Sequence, residues 1–147
     1  MLKIVLDANV FVSSLLTKTG RSAMVLDAWR AGRYLLVTSR SIISEIERVL
    51  SANHFQDKYG LSRMHIEGLV LLLENDAMVV PGLSPVAGTI PVDPADEMFL
   101  AAALDARADL IVSGDHHLLD LGEYKNTPIS TVRGFLELLE KDQEPEG

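Results

Sequence analysis

The chain has 147 residues, 48% of them hydrophobic and 23% charged, which predicts one globular domain and excludes an intrinsically disordered protein. Cysteine is absent, so disulfides, thiolate metal sites and a cysteine nucleophile are excluded, which fits a cytoplasmic protein. The net charge of −8 argues against a broad basic face that grips duplex DNA.

Short apolar runs alternate with amphipathic stretches along the chain, which is typical of a parallel α/β sheet. The first run, residues 4–6, is apolar at consecutive positions, as expected for a strand covered on both faces. Further strands are predicted at residues 34–37, 77–80, 110–112 and 129–132. Apolar residues at helical spacing predict helices at 21–31, 41–52, 62–75, 94–107 and 133–141. We therefore predict one α/β domain over residues 1–140 and a frayed polar tail at 141–147.

No stretch of the sequence predicts contact with a membrane. The longest dense apolar stretch, residues 69–73, is far shorter than the roughly 20 residues that a spanning helix needs. The N-terminal apolar stretch is interrupted by Asp7, so it does not match a secretory signal.

Acidic residues follow two of the predicted strands at the point where each strand ends. Asp7 comes directly after the first strand, and Asp115 closes the segment Ser113-Gly114-Asp115 after the fourth. Because the carboxyl ends of parallel strands form the ligand crevice of an open sheet, both side chains are expected at one edge. Each aspartate is also a suitable helix N-cap, and this second interpretation remains open.

A third acidic segment precedes the helix that leads into the fourth strand. Asp93 followed by Pro94 is typical of an N-cap with proline at the first helical position. Asp96 falls at the third position of this helix, where exposed amides favour a carboxylate. The helix returns antiparallel to the strands, so Asp96 is expected at the same edge as Asp7 and Asp115.

A fourth acid is expected from the helix after the second strand. Glu45 and Glu47 each lie about 100° from the centre of its apolar stripe near Ile46, on opposite flanks. Periodicity alone does not choose between them. The alternative is that both are solvated and that Arg48 pairs with Glu45 three residues away.

Carboxylates that converge without counter-ions repel one another, and burial raises their pKa values. A hard divalent cation such as Mg²⁺ or Mn²⁺ removes that penalty, since it prefers carboxylate and water oxygens. Such an ion also suits phosphate-ester hydrolysis. Histidine ligands for zinc are not indicated, because His116 and His117 are adjacent and point differently on most backbones. Further residues predicted to orient ligands or contact phosphates are Asn9, Ser13, Lys18, Arg21 and Arg40.

Taken in order, four segments of the sequence resemble the PIN-domain nucleases, and within them the VapC-type ribonucleases that are toxins of toxin–antitoxin pairs. The segments are 5–13, 41–50 with Glu45, 93–96 with the alanine-rich helix that follows, and 108–115. The resemblance implies a three-layer α/β/α fold with a parallel sheet of strand order 3-2-1-4-5. It also implies hydrolysis of RNA that depends on one or two Mg²⁺ or Mn²⁺ ions.

By position, the resemblance assigns the catalytic and metal-binding acids to Asp7, Glu45, Asp96 and Asp115, and it is the resemblance that selects Glu45 over Glu47. Relatives often place another acid two residues after the last aspartate, where this chain has His117, so His117 is a further candidate ligand or proton acceptor. The expected partners are an RNA substrate, a basic antitoxin protein and further copies of this chain in a homodimer or higher oligomer.

Two other functions remain open from the residues. Asp7-Ala8-Asn9, with Gly114, Asp115 and Asp120, resembles the motifs of haloacid-dehalogenase-like phosphatases. That class needs a second aspartate where this chain has Asn9. The other alternative is an α/β module without catalytic activity, whose acids cap helices and bind a basic partner.

Overall fold

The computed structural model describes residues 1–52, 57–86 and 96–143, and within them the alternating pattern forms strands and helices. The first half contains β1 (Lys3–Leu6), α1 (Ala8–Leu16), α2 (Arg21–Arg30), β2 (Leu35–Ser39), α3 (Arg40–Leu50), α4 (Arg63–Asp76) and β3 (Met78–Val80). The second half contains α5 (Glu97–Ala106), β4 (Leu110–Val112), α6 (His116–Leu121), β5 (Glu123–Tyr124), β6 (Thr127–Ser130) and α7 (Val132–Gln143).

The sheet has the strand order β3-β2-β1-β4-β6-β5, and every neighbouring pair is parallel except β5 and β6. At its centre, Val5 of β1 is in register with Val37 of β2 and Ile111 of β4. All three of these residues are buried, because helices cover both faces of the sheet. The right-handed crossover rule places α5 on the opposite face from the helices that join β1 to β2 and β2 to β3.

The predicted parallel order 3-2-1-4-5 is confirmed, with β6 in the place of the predicted fifth strand. That strand was predicted at residues 129–132, but it covers Thr127–Ser130, and Val132 already begins α7. Pro128 obscures the start of the strand in the sequence, since proline is depleted from strands. β5 was not predicted. It pairs with β6 through a two-residue turn at Lys125 and Asn126, which both have positive φ.

The helices deviate from prediction mainly where they are short. α1 and α6, which directly follow β1 and β4, were not predicted, and α6 has only 6 residues. The helix predicted at 94–107 is observed from Glu97 to Ala106, and Asp93 and Pro94 lie outside the described residues. α7 continues to Gln143, so residues 141–143 of the expected tail extend this helix. No helix of the described chain has the length and apolar character needed to cross a membrane.

One side chain ties the segment after β3 to α5. The carboxylate of Asp105 accepts hydrogen bonds from the backbone amides of Gly82 at 2.6 Å, Leu83 at 3.2 Å and Ser84 at 3.0 Å, and from the Ser84 hydroxyl. The hydrogen bond from the Ser84 hydroxyl contributes most to lowering the pKa of Asp105 below its usual value, and the three backbone amides lower it further. Gly82 has a φ of 72°, which favours glycine, and its backbone approaches the Ser39 side chain closely. These hydrogen bonds therefore hold residues 82–84, which follow β3, against α5.

Candidate active site

Asp7 lies at the carboxyl end of the central strand and begins the next helix. Its Oδ1 atom accepts a hydrogen bond of 2.7 Å from the amide of Val10, which makes it the N-cap of α1. Its own amide donates to the carbonyl of Val112 at 3.1 Å, which ties it to the end of β4. The residue is only 3% exposed. Asp7 is therefore both an N-cap and a buried acid at the carboxyl edge of the sheet, so the two interpretations are compatible.

Ser113 links the two aspartates that follow β1 and β4. Its hydroxyl donates to the Asp7 Oδ2 atom at 2.5 Å and accepts a hydrogen bond of 2.9 Å from the Asp115 amide. The side chain is fully buried. Sequence analysis assigned Ser113 no role of its own. The signal for it is a small hydroxyl side chain at the end of a buried strand, directly before Gly114 and Asp115.

Burial raises the pKa of Asp7 above its ordinary value. Hydrogen bonds from Ser113, Val10 and the Gly114 amide oppose this shift, and the negative charge of Asp115 adds to it. Ionisation of Asp7 in the folded protein therefore costs free energy, and a nearby cation would reduce that cost.

The structure brings the four predicted acids to one cavity of about 210 Å³. Glu45 reaches it from α3, Asp96 from the start of α5, and Asp115 from the start of α6. Asp115 caps α6, because its Oδ1 atom accepts from the His117 amide at 2.8 Å. The complete lining is Asp7, Ala8, Asn9, Glu45, Asp96, Phe99 and Asp115. Four carboxylates from separate parts of the chain thus face one volume, while Ala8 and Phe99 supply apolar wall.

The two glutamates of α3 point to different neighbours. Glu45 lines the cavity, and both of its carboxylate oxygens accept hydrogen bonds from Arg48, at 3.0 and 2.5 Å. The hydrogen bonds and the positive charge of Arg48 lower the pKa of Glu45. Glu47 instead pairs at 3.3 Å with Arg63 of α4. The predicted Arg48 pair therefore exists, and it coexists with the position of Glu45 at the cavity.

Of the other residues predicted to orient ligands or contact phosphates, Asn9 lines the cavity, and Ser13, Lys18, Arg21, Arg40 and His117 do not. Arg40 extends to Glu74 of α4 and pairs with it at 2.7 Å. Lys18 and Arg21 line separate grooves. Ser13 and His117 are exposed. Their position near the carboxyl edge in the sequence therefore does not place these side chains in the lining of the cavity.

The donor set of the cavity suits a hard cation, since all four of its ionisable groups are carboxylates. In the positions that the side chains occupy, however, no three His, Asp or Glu residues of the described chain could hold one ion together. Glu45 is engaged by Arg48, and Asp7 and Asp115 each cap a helix. The residues fit a metal by their chemistry, and a shared ion requires that side chains such as Glu45 rotate towards it.

The family model of the PIN domain matches residues 3–117, a segment that contains all four acids of the cavity. The chain belongs to the PIN domain family. The predicted family is thereby confirmed, and membership supports a hydrolase that acts on nucleic acid. It does not support a haloacid-dehalogenase-like phosphatase, and Asp120, which that function would use, does not line the cavity.

Two solved structures with TM-scores above 0.5 share this fold at low sequence identity. VapBC2 from Rickettsia felis, bound to a DNA fragment from its promoter, has 10% identity and a TM-score of 0.58, covering 88% of this chain and 98% of that chain. FitAB bound to an IR36 DNA fragment has 16% identity and a TM-score of 0.56, covering 88% and 94%. FitAcB from Neisseria gonorrhoeae has 19% identity and a TM-score of 0.49, covering 76% and 87%. A search of curated proteins finds no match.

Proposed function

We propose that this PIN domain is a metal-dependent endoribonuclease and the toxin of a toxin–antitoxin pair. The observation that carries the proposal is the convergence of Asp7, Glu45, Asp96 and Asp115 on one cavity at the carboxyl edge of the sheet. The raised pKa of Asp7 supports it, because the site holds negative charge at a cost that a cation would offset. The family supports a nuclease, and RNA as the substrate follows from the resemblance to VapC-type ribonucleases.

In this proposal Asp7, Asp96 and Asp115 hold one or two Mg²⁺ or Mn²⁺ ions, and Glu45 either joins them or orients the attacking water. A bound ion would lower the pKa of water and neutralise charge on a phosphoryl oxygen. Ser113 keeps Asp7 in place through its hydrogen bond, and the Asn9 side chain stands at the cavity where it can orient a phosphate or a water. Phe99 supplies an apolar part of the cavity wall.

Incubating the purified protein with RNA pools is expected to give discrete fragments with Mn²⁺ or Mg²⁺ and none with a chelator. Sequencing of the fragment ends would identify the cleavage sites, and single-stranded DNA of the same sequences is the control for substrate class. Intact RNA under every metal condition would contradict the proposal and favour the module that only binds a partner.

A basic antitoxin is the proposed partner. The acidic net charge of −8 favours a basic protein, and the similarity of fold to VapBC2 and FitAB supports a partner of that kind. We expect a small basic protein from the native host to form a stoichiometric complex with this chain and to inhibit RNA cleavage when the two are recombined. A bound protein that leaves the cleavage rate unchanged would speak against an antitoxin.

A further inference from the structure

The cavity of the four acids has no positive group of its own. Its lining within the described chain includes neither lysine nor arginine. Of the basic residues expected near this edge, Arg40 is paired with Glu74, and Lys18 and Arg21 line other grooves. RNA phosphates carry negative charge, so a positive side chain at the rim of this cavity would favour substrate binding.

Arg48 is bound directly to the lining of the cavity. Its guanidinium donates from two nitrogens to the two carboxylate oxygens of Glu45, at 3.0 and 2.5 Å. The Arg48 side chain is 70% exposed, whereas that of Glu45 is 27% exposed. The guanidinium is therefore reachable from solvent while it holds a residue of the cavity lining. Its two-pronged geometry is also the one by which arginine recognises phosphate.

We propose that Arg48 exchanges partners during function, holding Glu45 in the metal-free protein and binding a phosphate of the RNA once Glu45 turns to the metal. The inference rests on the proposed nuclease function. Binding a phosphate through the same Nε–Nη2 edge requires that this edge leave Glu45, so release of Glu45 and capture of phosphate through that edge are coupled. Arg48 thus competes with the metal ion for Glu45 and assists the substrate.

The test compares Arg48→Ala and Arg48→Lys with Arg133→Ala. Arg133 is a matched control because it forms an exposed pair with Glu137 on α7, outside the cavity, and its loss changes the net charge equally. Mn²⁺ affinity is measured by calorimetry without RNA, and kcat and KM are measured on a cleavable RNA oligonucleotide. Circular dichroism verifies that each variant is folded.

Relative to Arg133→Ala, we expect Arg48→Ala to bind Mn²⁺ about threefold to fivefold more tightly, since Glu45 loses its competing partner. We expect its KM for RNA to be about tenfold higher, with kcat within about twofold, since a charge-assisted contact to phosphate is lost. Arg48→Lys keeps the positive charge without the two-pronged geometry. Its KM for RNA should therefore lie between those of wild type and Arg48→Ala, and it should not restore the pair of hydrogen bonds to Glu45.

Two results would overturn the inference and are distinguishable. If the wild-type protein cleaves RNA and binds Mn²⁺ but Arg48→Ala matches Arg133→Ala in both Mn²⁺ affinity and KM, then the exchange does not occur, while the nuclease proposal stands. If the wild-type protein neither binds Mn²⁺ nor cleaves RNA, the nuclease proposal fails and this inference fails with it.

Discussion

Replacing Asp7 with asparagine is expected to reduce the rate of metal-dependent RNA cleavage about a thousandfold, equivalent to about 4 kcal/mol of transition-state stabilisation. Asp7 is the most buried of the four acids and lies between Ser113 and the start of α1. Asparagine keeps an oxygen that can cap the helix but removes the negative charge that would hold a cation. Asp96→Asn should also abolish cleavage, and initial rates with saturating Mn²⁺ measure both.

The same substitution should leave the free energy of unfolding at neutral pH unchanged or raise it. Burial raises the pKa of Asp7, so the proton stabilises the folded protein. That stabilisation is fully present below the pKa of the unfolded chain and is lost as the pH rises through the folded-state pKa. Asparagine remains neutral throughout, so the melting temperature of Asp7→Asn should exceed that of wild type most at neutral pH, with the gap closing towards pH 4.

Asp120→Asn is the control for this prediction, because Asp120 is exposed on α6 and does not line the cavity. It should cleave RNA at the wild-type rate. Unimpaired cleavage by both Asp7→Asn and Asp96→Asn would contradict the assignment of the acids. Loss of cleavage together with a large fall in melting temperature would instead assign Asp7 a purely structural role.

Addition of Mn²⁺ at neutral pH is expected to raise the melting temperature of the wild-type protein by about 5–10 °C. An ion present at about 100 times its dissociation constant stabilises the folded state by about 2.7 kcal/mol, and a chain of this length gains about 2–4 °C per kcal/mol. The physical reason is that the ion relieves the repulsion among the carboxylates that share one cavity in the folded protein. In the unfolded chain these carboxylates are not held together, so the ion stabilises the folded state.

Thermal unfolding with Mn²⁺, Mg²⁺ or a chelator measures this effect, and Asp7→Asn is the matched comparison. The variant should show a shift of less than about 2 °C under the same conditions, since it lacks the most buried carboxylate. Equal shifts in the two proteins would place metal binding elsewhere on the chain and would contradict the proposed site.

Local patterns were sufficient for the buried central strands and insufficient for the helices that directly follow them and for the edge strand. β1 and β4 were predicted to within one residue, because consecutive apolar residues followed by aspartate mark a buried strand and its end. α6 was missed because its 6 residues are too few for an apolar period to be recognised, and β5 because two residues carry no alternation. What identifies these elements is their contact with β6, which only the folded chain provides.

The choice between Glu45 and Glu47 shows the same limit at the site. The helical pattern of α3 placed them symmetrically about Ile46, whereas in the folded chain Glu47 pairs with Arg63 of α4 and Glu45 lines the cavity. Glu45 both pairs with Arg48 and lines the cavity. The spacing of residues along α3 predicts the pair, but it does not predict which cavity the glutamate faces.

The alternation of strands and helices was enough to predict a parallel α/β sheet and the edge where the acids gather, because the carboxyl ends of parallel strands lie at one edge. The PIN fold and its strand order came from the resemblance to the family, and the sheet confirms them. The position of each charge was decided by tertiary packing. Ser113 is buried and hydrogen-bonds to both Asp7 and Asp115, whereas Lys18, Arg21 and Arg40 do not line the cavity of the acids. The physical reason is that backbone hydrogen bonds between strands fix where each strand ends, whereas the direction of a long side chain depends on which partners lie within its reach.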